Sequence, residues 1–193
     1  MRGRMKTMAM TRSDQLYSDL RDDILSLRLA PGERVSERMI EARYGHASRT
    51  PIRSALSRLA SDRLVQQAES GWSVTPLSMA LILQACEFRV GIERDGVALV
   101  CERASATDLD RIERDLIPQR ADIDRAEWLR TSWMFHVELV RLAGNDLYAD
   151  AMADVMQRLA RVRWLEISDE AGRARTIVEH RQILTHVRQG DVP

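Results

Sequence analysis

The chain has 193 residues, with 29 Lys or Arg balanced by 29 Asp or Glu, 45% hydrophobic residues and two cysteines. That length holds one large or two small domains, and so few cysteines exclude a disulfide-built scaffold. No apolar run is long enough to cross a membrane and no signal-peptide pattern opens the chain, so a cytoplasmic protein is expected, with Cys86 and Cys101 as buried, reduced thiols.

The zero net charge divides unevenly. Residues 1–76 hold 13 basic and 9 acidic side chains, a net of +4, whereas residues 77–193 hold 16 and 20, a net of −4. A basic N-terminal half suits phosphate neutralisation on nucleic acid. Every basic residue except Lys6 is an arginine, the side chain suited to bidentate phosphate and guanine contacts.

In chain order, residues 1–12 carry four methionines among basic residues and read as a disordered tail. A first helix is expected over 13–29, capped by Ser13, with Leu16, Leu20, Ile24 and Leu27 on one side. Pro31-Gly32 ends it in a turn. Ser36 caps a short second helix over 37–44 with Met39 and Ile40 facing inward, and Gly45-His46-Ala47 turns the chain again. In the next segment Thr50 is the expected cap and Pro51 the first helical residue, a position that needs no backbone N–H. Ile52, Ala55, Leu56 and Leu59 recur at helical spacing as an apolar back, while Ser48, Arg49, Thr50, Arg53 and Arg58 occupy the front and the N-terminal lip. An apolar back with a basic, hydroxyl-rich front is what a DNA recognition helix requires. It equally describes an ordinary amphipathic helix with a solvated arginine face, and the neighbours decide between them. Two strands are expected next, over 64–67 and 72–75, joined by Ala68-Glu69-Ser70-Gly71. A helix, a helix-turn-helix and a hairpin in this order make a winged helix-turn-helix.

Residues 13–77 resemble the DNA-binding domain of the GntR family of bacterial transcription regulators. The matching stretches are Leu29-Ala30-Pro31-Gly32-Glu33-Arg34-Val35-Ser36-Glu37-Arg38, Ser48-Arg49-Thr50-Pro51-Ile52-Arg53, Ala55-Leu56-Ser57-Arg58-Leu59 and Gly71-Trp72-Ser73-Val74. The resemblance implies a double-stranded DNA operator as partner, with contacts from Arg38, Ser48, Arg49, Thr50, Arg53 and Gly71. One departure is that His46 and Ala47 stand where the family usually has a single residue before its Ser/Thr-Arg pair.

Beyond Pro76 the periodicity is helical throughout. Helices are expected over 78–103, 107–117, 121–143, 146–167 and 173–189, with Ser78 and Thr107 as caps and Gly144-Asn145 and Gly190 as stops. Leu81, Ile82, Ala85, Phe88 and Ile92 follow at helical spacing on the first of them. The expected fold is therefore mostly α: a winged helix-turn-helix with a small β-hairpin wing over 13–76, then an all-α antiparallel helical bundle over 77–193. Trp128, Trp133 and Trp164 read as core or dimer-interface residues rather than a ligand cage.

Phe135-His136, Ala143-Gly144-Asn145, Glu179-His180 and Gly190-Asp191, with Arg89-Val90-Gly91-Ile92-Glu93 upstream, resemble the FCD effector-binding domain of the FadR-like branch of the same family. That resemblance implies a divalent metal, zinc or nickel, held by one Asp and three His beside the site for a small carboxylate effector. His136 and His180 match two of the four ligands. Ser132 stands in the Asp position, one turn before His136, and the chain ends at Pro193, before the helix that would carry the last His. His186 follows His180 by six residues, about 240° round a helix, and so does not share its face. An incomplete metal site at His136 and His180, an effector pocket formed by Arg89, Ser132, His136 and His180, and two hydrogen-bonded core histidines all remain open. Arg89 is either a carboxylate clamp or the i,i+4 partner of Glu93.

The expected function is a ligand-responsive bacterial transcription regulator, not an enzyme: a repressor that binds a palindromic operator as a homodimer and responds to a small organic acid. Two other readings stand beside it. One is a metal-dependent helical-bundle enzyme using His136 and His180, which leaves the winged domain without a role. The other is a shortened, effector-blind DNA-binding protein.

Overall fold

The computed structural model describes residues 10–45, 48–69, 71–118 and 123–191, and the chain divides into two compact units, residues 1–76 and 77–193. The first contains α1 (Arg12–Leu25), β1 (Arg34–Val35), α2 (Glu37–Tyr44), α3 (Arg49–Ser61), β2 (Val65–Ala68) and β3 (Gly71–Val74).

Local chemistry sets these boundaries, in places differently from the sequence expectation. Thr11, not Ser13, caps α1: its hydroxyl accepts from the Asp14 N–H while the Asp14 carboxylate accepts from the Thr11 N–H, a reciprocal capping box. Thr11 and Arg12 thus belong to the fold rather than to a tail. The helix stops at Leu25 instead of running to residue 29, because Leu27 adopts a left-handed backbone (φ 61°). That turn leaves Leu27 exposed and returns Leu29 to the core. Ser48, not Thr50, precedes α3, and Pro51 is its third residue, still within the first turn where backbone N–H groups have no helical partner. His46 and Ala47 lie outside the described residues.

The strands form one antiparallel sheet in the order β1-β3-β2, with Val65 opposite Val74 and Gln67 opposite Trp72. The hairpin is shifted by one residue from expectation, taking in Ala68 and Gly71, and β1 adds a third strand that two residues of sequence could not announce. Leu20, Ile24, Ile40, Ile52, Leu56, Leu59 and Val74 are all buried in this unit. Asp23 is buried among them and bound from three sides: by Arg28 at 2.6 Å, Arg43 at 2.8 Å and the Tyr44 hydroxyl at 2.5 Å. Burial pushes its carboxyl up, but the hydrogen bonds from Tyr44 and Arg28 outweigh this and hold it below the ordinary Asp value.

The second unit is a bundle of α4 (Met79–Arg103), α5 (Ala106–Leu116), α6 (Arg125–Arg141), α7 (Asp146–Glu166) and α8 (Glu170–Gln189). Ser78 caps α4 as expected. Ser105 rather than Thr107 caps α5, again through a capping box, Asp124 starts α6 later than residue 121, and Asp169 starts α8 earlier than residue 173. Gly190 closes α8 in the left-handed conformation. No described helix is long and apolar enough to cross a membrane.

Helix α6 lies at the centre. Phe135 and Leu139 face one core cluster with Val97, Val100, Ile112 and Leu184. Val137 and Val140 face another with Ile92, Met152, Val155 and Leu159. Trp128 and Trp164 are buried, and Trp133 packs against the second cluster. Helix α4 is only partly covered. Cys86, expected as a buried thiol, is exposed, as are Leu81 and Phe88 of the helically spaced set, and the buried side of α4 runs through Ala85, Ile92, Gly96 and Val100. Among the described residues both cysteines are free thiols.

Gly172 sits where the chain turns from α7 into α8, and a Cβ there would lie 1.8 Å from the Glu166 carbonyl oxygen. Gly172→Ala should therefore force the turn apart and cost about 1–3 kcal/mol, read as a lowered Tm of the full chain. Asp23→Asn removes the buried carboxylate from two guanidiniums and should cost about 1–3 kcal/mol. Because the folded Asp23 is depressed, its contribution is complete above the unfolded value near 3.8 and disappears as pH falls through the folded value. Acid melting curves of Asp23→Asn should accordingly lose part of the wild-type decline below pH 4.

Candidate nucleic-acid interface and buried polar chamber

On the first unit, α3 turns Ile52, Ala55, Leu56 and Leu59 into the core, so Ser48, Arg49, Thr50 and Arg53 stand exposed. Arg49 Nε and Arg53 Nε lie 3.9 and 3.2 Å from the same Glu37 carboxylate on α2. Arg38 is exposed beside Glu37 in sequence, and Gly71 is exposed at the start of β3 with φ 113°. Ion pairs this exposed contribute little, so both guanidiniums can exchange Glu37 for a phosphate or a guanine edge. Arg58 has another role: it binds Asp14 at 2.7 Å and stacks on the Tyr17 ring, tying α3 to α1.

On the second unit, four helices bring a polar group into the core. Helix α6 supplies Ser132 and His136, one turn apart and both buried; α8 supplies buried His180. Helix α4 supplies Arg89 and Glu93, and α7 supplies Arg163. His136 Nδ1 lies 2.6 Å from Glu93 Oε1, and Arg89 reaches both Glu93 and His136 Nε2 at 3.2 Å. Burial holds His136 neutral, down to about 4, despite the carboxylate beside it. Burial opposes the charge on Glu93 as well, but His136 and Arg89 draw it down to about 2. The imidazole therefore donates Nδ1–H to Glu93 and turns its Nε2 lone pair to Arg89. His180 stacks on Phe135 with ring centroids 3.9 Å apart, and its Nδ1 has no partner. His186 is exposed and pairs with Asp191 at 3.5 Å, apart from this cluster.

The structure thus brings together Arg89, Ser132, His136 and His180, with Arg89 paired to Glu93 in a half-buried position on the bundle. Sequence reasoning missed Arg163. Its signal was an arginine within the buried stripe Met152, Met156, Leu159 and Ile167. Its Nη2 donates to Ser132 Oγ at 2.6 Å and its Nη1 lies 3.1 Å from Glu166. A metal does not fit these residues. Ser132, in the Asp position, is held by a guanidinium, two guanidiniums face the imidazoles, and no group of three His, Cys, Asp or Glu gathers among the described residues. A cavity of about 550 Å³ between α4, α6 and α8 reaches the chamber at Glu93 and His136, with Val97, Leu139, Val140 and Val187 as apolar walls.

The profile of the bacterial regulatory proteins of the gntR family matches residues 12–74, and that of the FCD domain matches residues 84–193. An HTH-type transcriptional regulator from an unstable DNA locus of Streptomyces ambofaciens is 30% identical over 190 residues, 97% of this chain and 80% of that protein. The chain belongs to the GntR family of bacterial regulatory proteins. Another relative, the transcriptional repressor RspR of Escherichia coli, is 26% identical over 93% of this GntR chain and 80% of its own length. A GntR-type regulator structure from Rhodococcus sp. RHA1 superposes with a TM-score of 0.67 at 22% identity, covering 95% of this chain and 89% of that one. Lar of Listeria monocytogenes does so at 0.65 and 17%, covering 96% and 90%. These two likenesses concern the fold. As a GntR member with an FCD domain, the chain is a DNA-binding transcription regulator, and its relatives are regulators rather than enzymes, so the metal-dependent enzyme reading is set aside.

Proposed function

We propose that this GntR regulator acts in the cytoplasm as a repressor, binding a palindromic operator as a homodimer and responding to a small carboxylate held in its helical unit. The observation that carries the DNA half is the pair Arg49 and Arg53, exposed on a helix whose apolar back is fixed, and both paired with Glu37. Arg38, Ser48, Thr50 and Gly71 complete the contact face. For the dimer, Met79, Leu83, Cys86 and Val90 form an exposed apolar line along α4 at spacings of four, three and four, the seam by which two helices associate. For the effector, the cavity ends at a chamber whose cations and neutral imidazoles suit a carboxylate. This favours a responsive regulator over an effector-blind one.

Gel shift on the DNA upstream of its own gene tests the first half. Arg49→Ala and Arg53→Ala should each weaken binding about tenfold or more, since a lost bidentate contact is worth about 1–3 kcal/mol. Unchanged affinity with an unchanged circular dichroism spectrum would remove α3 from the major groove. Sedimentation equilibrium at micromolar concentration should show a dimer, and Leu83→Glu/Val90→Glu should shift it to monomer. A wild-type monomer overturns the two-headed reading.

A further inference from the structure

Family resemblance places an Asp where this chain has Ser132, and a metal between that residue and the imidazoles of His136 and His180. The structure puts a different cation there. Arg163 Nη2 is 2.6 Å from Ser132 Oγ, and its side chain is only 11% exposed. An Asp would give a metal a charged oxygen. A serine hydroxyl instead accepts a hydrogen bond from a guanidinium, which is charged at every working pH. The substitution at Ser132 and the inward arginine are thus two sides of one arrangement.

An anion can compete for both guanidiniums. Arg89 pairs with Glu93, Arg163 pairs with Glu166 and also feels the charge of Glu179, and His136 and His180 are neutral. Glu166 is half exposed, so its pairing with Arg163 is solvated and exchangeable. Three further buried nitrogens have no hydrogen-bond partner: Arg89 Nε, Trp128 Nε1 and His180 Nδ1. Arg89 Nε is 3.2 Å from Glu93 Oε2 but poorly aimed at it, so the contact is an ion pair without a hydrogen bond. Trp128, Ser132 and His136 follow one another at four-residue spacing and share one face of α6. Arg89 reaches Glu93 and His136, the two chamber residues that line the cavity, and a guanidinium there can recognise an oxyanion.

We propose that the Arg163 guanidinium takes the seat of a metal ion in this chain, so that the chamber binds a carboxylate through Arg163 and Arg89 with no metal. This rests on the reading of the helical unit as a carboxylate-responsive domain. Glu93, at the mouth of the cavity, holds Arg89 in the absence of ligand, and an incoming carboxylate takes over that contact.

The test uses the full chain and two probes, zinc chloride and sodium acetate, the latter against sodium chloride at equal ionic strength. Wild-type protein dialysed against micromolar zinc should retain well under one equivalent by elemental analysis. Acetate should raise its Tm equally with and without EDTA. Arg163→Gln should lose the acetate shift, and Arg163→Lys should keep part of it. Ser132→Asp places a carboxylate against Arg163, so it should raise Tm, reduce the acetate shift and still exclude zinc. That variant decides the matter even where Arg163→Gln fails to fold.

One zinc per wild-type chain, lost in His180→Ala, overturns the proposal. So does stoichiometric zinc in Ser132→Asp, an acetate shift that requires zinc, or a shift that survives in folded Arg163→Gln. A wild-type chain that excludes zinc and shows no acetate shift in either buffer overturns the carboxylate reading itself, and Arg163 is then a structural cation alone.

Discussion

The bundle is organised around polar side chains on its most enclosed helix. Helix α6 is covered on nearly every side, yet it carries Ser132 and His136 into the core. A buried hydroxyl or imidazole costs free energy unless it is hydrogen-bonded, so each neighbouring helix has to answer with a partner. Helix α4 answers with Glu93 and Arg89, and α7 with Arg163. Helix α8 answers with a ring, His180 against Phe135, an aromatic contact worth about 0.5–1.5 kcal/mol beyond burial. These partners fix the rotation of three helices about α6 more closely than the Val, Leu and Met contacts do, since apolar contacts tolerate sliding and a 2.6 Å hydrogen bond does not.

The winged unit uses charge in the opposite sense. Asp23 is buried and satisfied from three sides, which holds α1, the following turn and α2 together. Glu37 lies on the surface with Arg49 and Arg53, where the pairing is loose and solvated. Buried pairs define structure because breaking one leaves an uncompensated charge, whereas exposed pairs are exchanged at little cost. The same residue types therefore serve as scaffold at Asp23 and as a replaceable placeholder at Glu37.

How far the sequence discloses this follows from the range of each interaction. The helices, the wing and the apolar back of α3 depend on neighbours three or four residues away, and periodicity reveals them. Caps were misplaced by two residues at Thr11 and Ser105 because Thr11, Ser13, Ser105 and Thr107 all carry a suitable hydroxyl. Only the reciprocal bond from Asp14 or Asp108 selects one. Phe88 and Leu81 share the helical spacing of Ala85 and Ile92 yet stay exposed, because α4 is apolar on more than one side and periodicity does not say which side a neighbour covers. Arg163 was invisible for a related reason. Its partner is 31 residues away on another helix, and an arginine in an apolar stripe usually snorkels to solvent.

Helix α4 joins these themes. It runs unbroken from Met79 to Arg103 and is separated from β3 by only four residues, 75–78. Its buried side carries Arg89 and Glu93, and its open side carries Met79, Leu83, Cys86 and Val90. One helix thus bears both the Arg89–Glu93 pair and the exposed apolar line. Coupling between sites typically amounts to about 1–3 kcal/mol. That is within what the loss or gain of one charge-assisted hydrogen bond supplies. In the proposed carboxylate response, remaking a single ion pair on α4 is thus of the size that coupling between sites requires.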